Sequence, residues 1–445
     1  MEFKIDSQTF KDLELFETVK GGKSIFNLFN LTRCLGGKNK LYDFLRYPLC
    51  DHLEINERKD AISFFSSNQI KEELEIDKNS LDFVEHYLIQ ENYPTTPPSK
   101  LGAIEKKFIN KLNPKNEYYI VERGVDYTID MINIIYRFSK MLTQKECPTL
   151  IKRNNDKVLA LFSETEYSEI LKIKSLEKID SYSTAKYDYI FRYTHKERIR
   201  FLLHLIYEYD AFIAVAKVAN KYKFSYSNIL PSGQNRMQIS GLFHPFVENS
   251  VKNDVGFESE RNILFITGPN MAGKSTFLKS LGVAVYLAHA GFPVPAEKMD
   301  ISVLTGLYTT INIADSLNSG YSHFYSEVLR VKYVANELKE NRALVIFDEL
   351  FRGTNVKDAY DGTLAVVEAL TEVKNSFFAV STHIVEAAYK LNDTSNIQFA
   401  YLEIIKRDNI PEYTYKLKEG ISENRLGMYI LQQEKLIETI KEINN

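Results

Sequence analysis

Apolar side chains recur at three- and four-residue spacing through the first half of the chain, from about residue 24 to residue 230. The pattern is clear in residues 25–31 and again from Phe201 through Val218, and it is typical of helices that bury one face or more. A proline-rich stretch at residues 93–98 marks a loop, and Pro231–Ser232–Gly233 ends the helical pattern. We therefore predict an all-helical domain over residues 1–233.

The pattern changes in the second half. Short apolar runs at residues 262–267, 343–347 and 377–381 are separated by helical segments, which predicts parallel strands covered by helices on both faces. Runs at residues 399–405 and 413–417 flank a turn and predict an antiparallel hairpin on the edge of the sheet. The second domain, residues 234–445, is therefore predicted to be α/β with a mostly parallel sheet.

Composition and short sequence features add four limits to this picture. The 445 residues are too many for one compact core and favour two or three domains. The most apolar long stretch, residues 201–219, contains Glu208 and Asp210, so we expect no membrane span and no membrane partner. The N-terminus has acidic residues where a signal peptide needs an apolar run, which predicts a cytoplasmic protein. The three cysteines form no CxxC pair that would indicate zinc.

A glycine-rich motif follows the first predicted strand. Residues 268–275 fit the pattern G-x4-GK[ST] between a strand and a helix, where backbone amides and a helix N-terminus can surround phosphates. Lys274 is expected to reach the β- and γ-phosphates of ATP, and the Ser275 hydroxyl to bind Mg²⁺. The predicted nucleotide-binding residues of this motif are Gly268, Pro269, Asn270, Met271, Ala272, Gly273, Lys274, Ser275 and Thr276.

Polar residues also follow the other two predicted strands. Asp348 and Glu349 come directly after residues 343–347, at the edge of the sheet where such folds bind ligands. Asp348 is expected to hold Mg²⁺, and Glu349 to orient and polarise the attacking water. His383 follows the third strand and is placed to sense the γ-phosphate, although a structural histidine is the alternative. The sequence thus predicts an ATPase with Glu349, His383 and Lys274 as its catalytic residues.

These residues together resemble the MutS family of mismatch-repair proteins. Residues 267–282, TGPNMAGKSTFLKSLG, are similar to the ATPase signature of that family, and the likeness continues through residues 315–324, LVIFDELFRGT at 344–354 and STH at 381–383. His244–Pro245 and Asn253–Asp254 stand where the family has its HP and ND pairs. Residues 27–65 look like the start of the family's helical core and lever. The resemblance implies an ABC-type P-loop NTPase domain preceded by a core/lever domain.

The resemblance also implies a homodimer that depends on nucleotide. In the family a serine-containing segment of one protomer contacts the γ-phosphate held by the other, which makes Ser319 or Ser322 the candidate; a polar loop is the alternative. Ser250 stands near the place of an adenine-stacking aromatic, which leaves Tyr415 as a possible substitute. Arg352 resembles the family's arginine after the acidic pair, or it tethers a loop on the surface.

The sequence departs from the full-length family in three respects. The helical core begins by about residue 24, so we expect the N-terminal mismatch-recognition and connector domains to be lacking. The clamp insertion between the lever helices looks shortened or missing. Few residues follow Gly427, so the C-terminal helix-turn-helix of many members is expected to be lacking as well.

Two functions from different classes fit these features. The first is a MutS-like ATPase that binds DNA by structure and acts as an ATP-driven conformational switch on duplex or branched DNA, in repair or recombination. Its candidate phosphate contacts are Arg192, Lys196, Arg198 and Arg200, or else these form a solvated helix face. The alternative is a regulatory or assembly ATPase that binds protein partners and no DNA. A transporter-type ATPase subunit is a weaker third hypothesis.

Overall fold

A computed structural model describes residues 2–16, 22–66, 74–75, 77–112, 116–173, 179–269, 271–311, 323–407, 410–422 and 439. The chain divides into two compact units. One comprises Met1–Asn27, Tyr47–Asn56 and Tyr222–Asn445, and the other comprises Leu28–Arg46 and Glu57–Lys221. The predicted division at residue 233 into two functional domains stays a prediction.

Helices occupy most of the first half of the chain. In chain order they are α1 (Ser7–Asp12), α2 (Ile25–Phe29), α3 (Leu35–Arg46), α4 (His52–Ser66), α5 (Lys78–Ile89), α6 (Lys100–Leu112), α7 (Asn116–Leu142), α8 (Thr149–Phe162), α9 (Thr165–Ile170), α10 (Ser181–Tyr189), α11 (Lys196–Tyr222), α12 (Lys274–His289), α13 (His323–Glu337), α14 (Val356–Leu370) and α15 (Val385–Leu391). A π-helical turn at Ile190–Thr194 joins α10 to α11. Among the helices described, none is long and apolar enough to cross a membrane.

Strands lie at the N-terminus and in the second half. They are β1 (Lys4–Ile5), β2 (Asn228–Leu230), β3 (Met237–Leu242), β4 (Asn253–Phe257), β5 (Ile263–Thr267), β6 (Lys298–Ser302), β7 (Gly306–Thr310), β8 (Ala343–Asp348), β9 (Phe377–Thr382), β10 (Ile397–Arg407) and β11 (Ile410–Glu419). They form a seven-stranded sheet in the order β1-β7-β8-β9-β5-β10-β11 and a four-stranded sheet in the order β2-β6-β3-β4.

The helical unit is organised around α11. Most of this helix is buried, from Ile199 to Ala219, which is how a helix that is apolar nearly all round must pack. Its buried carboxylate Asp210 accepts hydrogen bonds from the backbone amides of Arg33 and Cys34, at 2.9 Å and 3.1 Å from Oδ2. Burial raises the pKa of Asp210, and these amide bonds oppose the rise. Between residues 28 and 221 the described residues form helices and turns without strands.

The seven-stranded sheet confirms the mostly parallel arrangement predicted from the apolar runs. β5, β8 and β9 are buried along their whole length and pair in parallel. The predicted hairpin is also confirmed, because β10 and β11 pair antiparallel at one edge of the sheet. Thr267 lies opposite Thr382, and Asp348 lies opposite Ser381. The carboxyl ends of β5, β8 and β9 therefore meet side by side, and they carry the candidate site.

Candidate functional site

The glycine-rich loop follows β5 and ends in the first turn of α12. Gly268 and Gly273 have φ angles of 140° and 100°, in the region that disfavours side chains, and Gly273 is the N-cap of α12. Met271 also has a left-handed φ of 69° and an exposed side chain. Asn270 lies outside the described residues. The loop thus turns sharply into a helix whose N-terminal amides and dipole attract anions.

The Lys274 side chain folds back into the loop and is buried. Its ammonium donates hydrogen bonds to the carbonyl oxygens of Gly268 at 2.8 Å and Pro269 at 3.0 Å. It also lies 3.3 Å from Glu349 Oε1. Burial lowers the pKa of Lys274, and the neighbouring Glu349 carboxylate opposes that shift. The lysine is therefore held between the loop and the acidic strand end.

Asp348, at the end of β8, connects two strands and the loop. The Ser275 hydroxyl donates a hydrogen bond to Oδ2 of Asp348, and the Ser381 hydroxyl donates to Oδ1. The carboxylate is buried. A hard divalent cation prefers oxygen ligands, so the adjacent hydroxyl of Ser275 and carboxylate of Asp348 suit Mg²⁺. The two residues predicted to hold this metal are thus in contact.

Glu349 is buried, and its carboxylate is surrounded by basic side chains. Arg352 Nε lies 2.9 Å and His383 Nδ1 3.5 Å from its Oε2 atom. Burial alone raises the pKa of Glu349, but the hydrogen bond from His383 and the charges of Lys274 and Arg352 outweigh it and lower the pKa to about 2. Glu349 also has a left-handed φ of 55°, and its amide donates to the carbonyl of Ser381 at 3.0 Å.

A cavity of about 600 Å³ extends from the loop toward the segment Leu242–Asn253 and toward Tyr415. Tyr415 is 47% exposed, and its Cδ1 atom would lie 3.1 Å from a Cβ added at Gly273. His244 lines the same cavity, and burial, reinforced by Lys279, lowers its pKa to about 4. The Ser250 hydroxyl accepts a hydrogen bond from the His244 amide at 3.0 Å. The cavity therefore joins the loop to an aromatic side chain of β11.

The structure brings most of the predicted site residues together but not all can be placed. Lys274, Ser275, Asp348, Glu349 and His383 converge at the carboxyl ends of three strands. Thr276 lies exposed in the first turn of α12, and Pro269 and Ala272 belong to the loop. Ser319 and Ser322 lie outside the described residues.

Two residues that the sequence prediction did not include also belong to the site. Ser381 donates to Asp348, and Glu327 of α13 accepts hydrogen bonds from the amides of Arg352 and Gly353, at 3.2 Å and 3.3 Å. The sequence offered one indication of Glu327: it is an acidic residue on the helix face that also carries Phe324 and Val331, which pack against the core.

The proposed role of Arg192 in phosphate contact is wrong. Arg192 is only 2% exposed, because its guanidinium lies between Asp188 and the carbonyl of Asn92. Asp188 also accepts a hydrogen bond from the hydroxyl of Tyr87 at 2.7 Å. A buried arginine that already has these partners serves the packing of the helical unit.

Arg198 and Arg200 lie at the surface of the helical unit, each in an ion pair. Arg198 pairs with Glu164, and Arg200 Nη1 lies 3.1 Å from Glu197 Oε1. Exposed ion pairs of this kind are weak. These two arginines therefore remain available to an anionic partner, unlike Arg192.

Fold and site together define a mixed α/β protein with a glycine-rich loop and an acidic strand end at the carboxyl edge of a largely parallel sheet. Residues 264–443 match the family model of MutS domain V. The C-terminal part of the chain is therefore a region of the MutS domain V type, and the chain as a whole is similar to MutS proteins.

The similarity to individual MutS proteins extends over much of the chain. The chain is 24% identical to the DNA mismatch repair protein MutS of Petrotoga mobilis, in an alignment that covers 99% of this chain and 64% of that protein. It is 26% identical to the protein of the same name from Thermus aquaticus, over 86% of this chain and 55% of the relative. It is 30% identical to the DNA mismatch repair protein MutS of Ehrlichia ruminantium, over 70% of this chain and 37% of that protein. The chain thus spans less than two thirds of these relatives.

Proposed function

We propose that this protein binds ATP with Mg²⁺ and hydrolyses it to ADP and phosphate in an ABC-type P-loop domain, residues 234–445. The observation that carries the proposal is the convergence of Lys274, Ser275, Asp348 and Glu349 at adjoining strand ends. A cation, a hydroxyl and two carboxylates in this arrangement match the parts that phosphoryl transfer requires. The similarity to MutS domain V supports the same conclusion.

Each side chain has a definite task in this proposal. The loop amides and the Lys274 ammonium bind the β- and γ-phosphates, so the lysine exchanges its carbonyl partners for phosphate oxygens. Ser275 and Asp348 hold Mg²⁺, which supplies charge neutralisation at the phosphates when bound. Tyr415, which lines the same cavity beside Gly273, stacks on the adenine.

Glu349 acts on the attacking water by orienting and polarising it. With a pKa of about 2 the carboxylate is ionised at neutral pH, but it is a weak acceptor for a full proton. In this proposal Glu349 therefore acts as a hydrogen-bond acceptor for the water, while His383, which contacts the same carboxylate, senses the γ-phosphate.

The test of this activity is ATP turnover by the Glu349→Gln variant. We expect ATP binding, followed with a fluorescent analogue, to remain, and turnover to fall about 100-fold or more because an amide polarises water poorly. Glu372→Gln is the matched control, since Glu372 is exposed just after the end of α14. Equal turnover in Glu349→Gln and the wild-type protein would remove Glu349 from this role.

We further propose that nucleotide drives a conformational switch on DNA, in duplex or branched form, with residues 1–233 acting as a core/lever domain. The support is the similarity to proteins named for DNA mismatch repair, which covers the helical half as well. The alternative is a regulatory or assembly ATPase that binds protein partners, because Arg192 is buried and Arg198 is paired with Glu164.

A binding titration separates the two functions. We expect duplex and branched DNA to bind with an affinity that falls steeply as salt rises and that changes when Mg-ATP is added. Arg198→Ala, at an exposed position, and Arg200→Ala, at a partly exposed one, should weaken binding, whereas Lys390→Ala on α15 serves as the control. Absence of binding at low salt, in every nucleotide state, would favour the alternative.

A further inference from the structure

Glu327 is a buried carboxylate on a mainly apolar face of α13, where His323, one turn earlier, places its Nδ1 atom 3.6 Å from Glu327 Oε2. It is only 5% exposed, while Phe324 and Val331 on the same side of α13 pack against the core beneath the sheet, in which Val334 is also buried. A carboxylate in such a place is unfavourable unless its oxygens are hydrogen-bonded. Its partners therefore indicate why an acidic residue stands there.

The hydrogen-bond donors to Glu327 are backbone amides of the loop that follows the acidic strand end. Glu327 Oε1 accepts from the Arg352 amide at 3.2 Å, and Oε2 accepts from the Gly353 amide at 3.3 Å. Phe351 in the same loop has a left-handed φ of 64°, and its ring meets Phe324 edge to face at 5.5 Å. The first turns of α13 thus hold this loop by a charged acceptor and an aromatic contact.

The same loop residue reaches the hydrolytic carboxylate. Arg352 gives its amide to Glu327 while its guanidinium lies 2.9 Å from Glu349 Oε2. Space is tight here, because a Cβ added at Gly353 would lie 2.5 Å from the amide nitrogen of Phe324. The position of the guanidinium therefore depends on the contact between the loop and α13.

We propose that Glu327 is a positioning residue for ATP hydrolysis, which fixes the amides of Arg352 and Gly353 and thereby holds the Arg352 guanidinium on Glu349. The inference rests on the proposed ATPase function and assigns a second carboxylate to it, one that touches neither nucleotide nor water. In this proposal the position of the loop depends on its contacts with α13.

The first experiment compares kcat and KM for ATP in Glu327→Gln. The amide keeps the shape of the side chain but offers one acceptor in place of two, so we expect kcat to fall about tenfold through misplacement of Arg352 and Glu349. KM for ATP should stay within about twofold, because the glycine-rich loop is untouched. Glu337→Gln is the matched control at the other end of the same helix; its carboxylate accepts from the hydroxyl of Tyr308 at 2.8 Å.

A double-mutant cycle with Arg352→Ala decides whether Glu327 acts through the arginine. If it does, adding Glu327→Gln to Arg352→Ala should lower kcat less than about twofold. The reason is that the effects of two substitutions in one contact network are not additive. Losses that multiply in the double variant, or a rise in KM with unchanged kcat in Glu327→Gln, would overturn the proposal.

Hydrogen exchange tests the tether without reference to activity. In Glu327→Gln the amides of Arg352 and Gly353 should exchange about tenfold faster, while those of β8 keep their protection. Unchanged exchange at both amides would refute the tether even in an active enzyme. If the wild-type protein shows no ATP turnover, the proposed function fails, and the exchange result still accepts or rejects the contact.

Discussion

At the scale of single residues, the charge balance around Glu349 depends on three basic neighbours. Lys274, Arg352 and His383 all approach its carboxylate, and the residue holds a left-handed backbone conformation that side chains disfavour. Strained residues of this kind persist where surrounding contacts fix them, and they concentrate at functional sites. The bond from the Glu349 amide to the Ser381 carbonyl supplies one such contact.

This environment predicts how stability depends on pH. The pKa of Glu349 is about 2 in the folded protein, against 4.5 for the free side chain, so the folded state holds this proton less tightly than the unfolded state. The stabilisation is therefore complete above about pH 4.5 and is lost as the pH falls toward 2. Its size is about 3 kcal/mol at most.

Urea unfolding of the wild-type protein and Glu349→Gln at several pH values measures this contribution. The free energy of unfolding should favour the wild-type protein by a constant amount from neutral pH to about pH 5, and the difference should shrink below that. Glu372→Gln, at an exposed position, should show little difference at any pH. A gap between wild-type and Glu349→Gln that does not change with pH would show that the carboxylate is not stabilised by its cationic neighbours.

At the scale of elements, the N-terminal segment 2–16 completes the unit that holds the site. β1 pairs in parallel with β7. The helix α1 follows β1 in the chain and contacts β7 at Thr309. Asp6 caps α1 through the amide of Thr9 and also pairs with Arg330 of α13. The segment therefore adds an edge strand and a helix to a sheet whose other strands lie some 260 residues or more further along the chain.

Asp12 is one of the residues that attach this segment to the sheet. It is buried, and its Oδ2 accepts from the Thr309 hydroxyl at 2.8 Å and from the Ile311 amide at 2.9 Å. Asp12→Ala leaves both donors without that acceptor, which should lower the free energy of unfolding by about 2–3 kcal/mol. Asp393→Ala, at an exposed position of the same unit, is the control. A loss below about 0.5 kcal/mol would mean that the segment contributes little to stability.

The central strands that the sequence predicted are those with nearly continuous apolar runs, whereas the hairpin strands β10 and β11 were predicted from runs on either side of a turn. β5, β8 and β9 are central strands buried on both faces, so their sequences alone distinguish them from the surrounding helices. β1 and β2, of two and three residues, carry no such pattern, and each is defined by its partner, β7 or β6. The prediction of helix up to residue 230 was therefore wrong at β2, because pairing with distant residues decides such short strands.

The site was predictable to the extent that it follows local motifs. Residues 268–275 and the pair Asp348–Glu349 are recognisable because a parallel sheet brings strand ends to one edge. Neither the ion pair of Arg352 with Glu349 nor the hydrogen bond that the Arg352 amide donates to Glu327 follows from spacing along the chain. The second contact joins residues 25 positions apart, and it exists only because α13 packs against the loop after β8.

At the scale of the whole molecule, nucleotide binding and self-association should be linked. The cavity beside the glycine-rich loop is bordered by Met271, an apolar side chain that is 77% exposed. Likeness to the MutS family implies that a serine of one protomer, Ser319 or Ser322, contacts the γ-phosphate held by the other. A ligand that binds the dimer more tightly than the monomer must shift association by that difference in affinity.

We therefore predict that Mg-ATP strengthens dimerisation in Glu349→Gln, which should retain the nucleotide because hydrolysis is blocked. If ATP binds only the dimer, a concentration 100 times its dissociation constant stabilises the dimer by about 2.7 kcal/mol for each filled site, which corresponds to about 100-fold tighter association per site and about 10⁴-fold for two sites. Light scattering or sedimentation at several protein concentrations measures the dimer constant with and without Mg-ATP. Lys274→Ala is the control, since loss of the ammonium at the phosphates should weaken binding and remove the effect at the same ATP concentration. A dimer constant that is the same with and without Mg-ATP in Glu349→Gln, despite demonstrated ATP binding, would show that the nucleotide is bound within one protomer and does not bridge two.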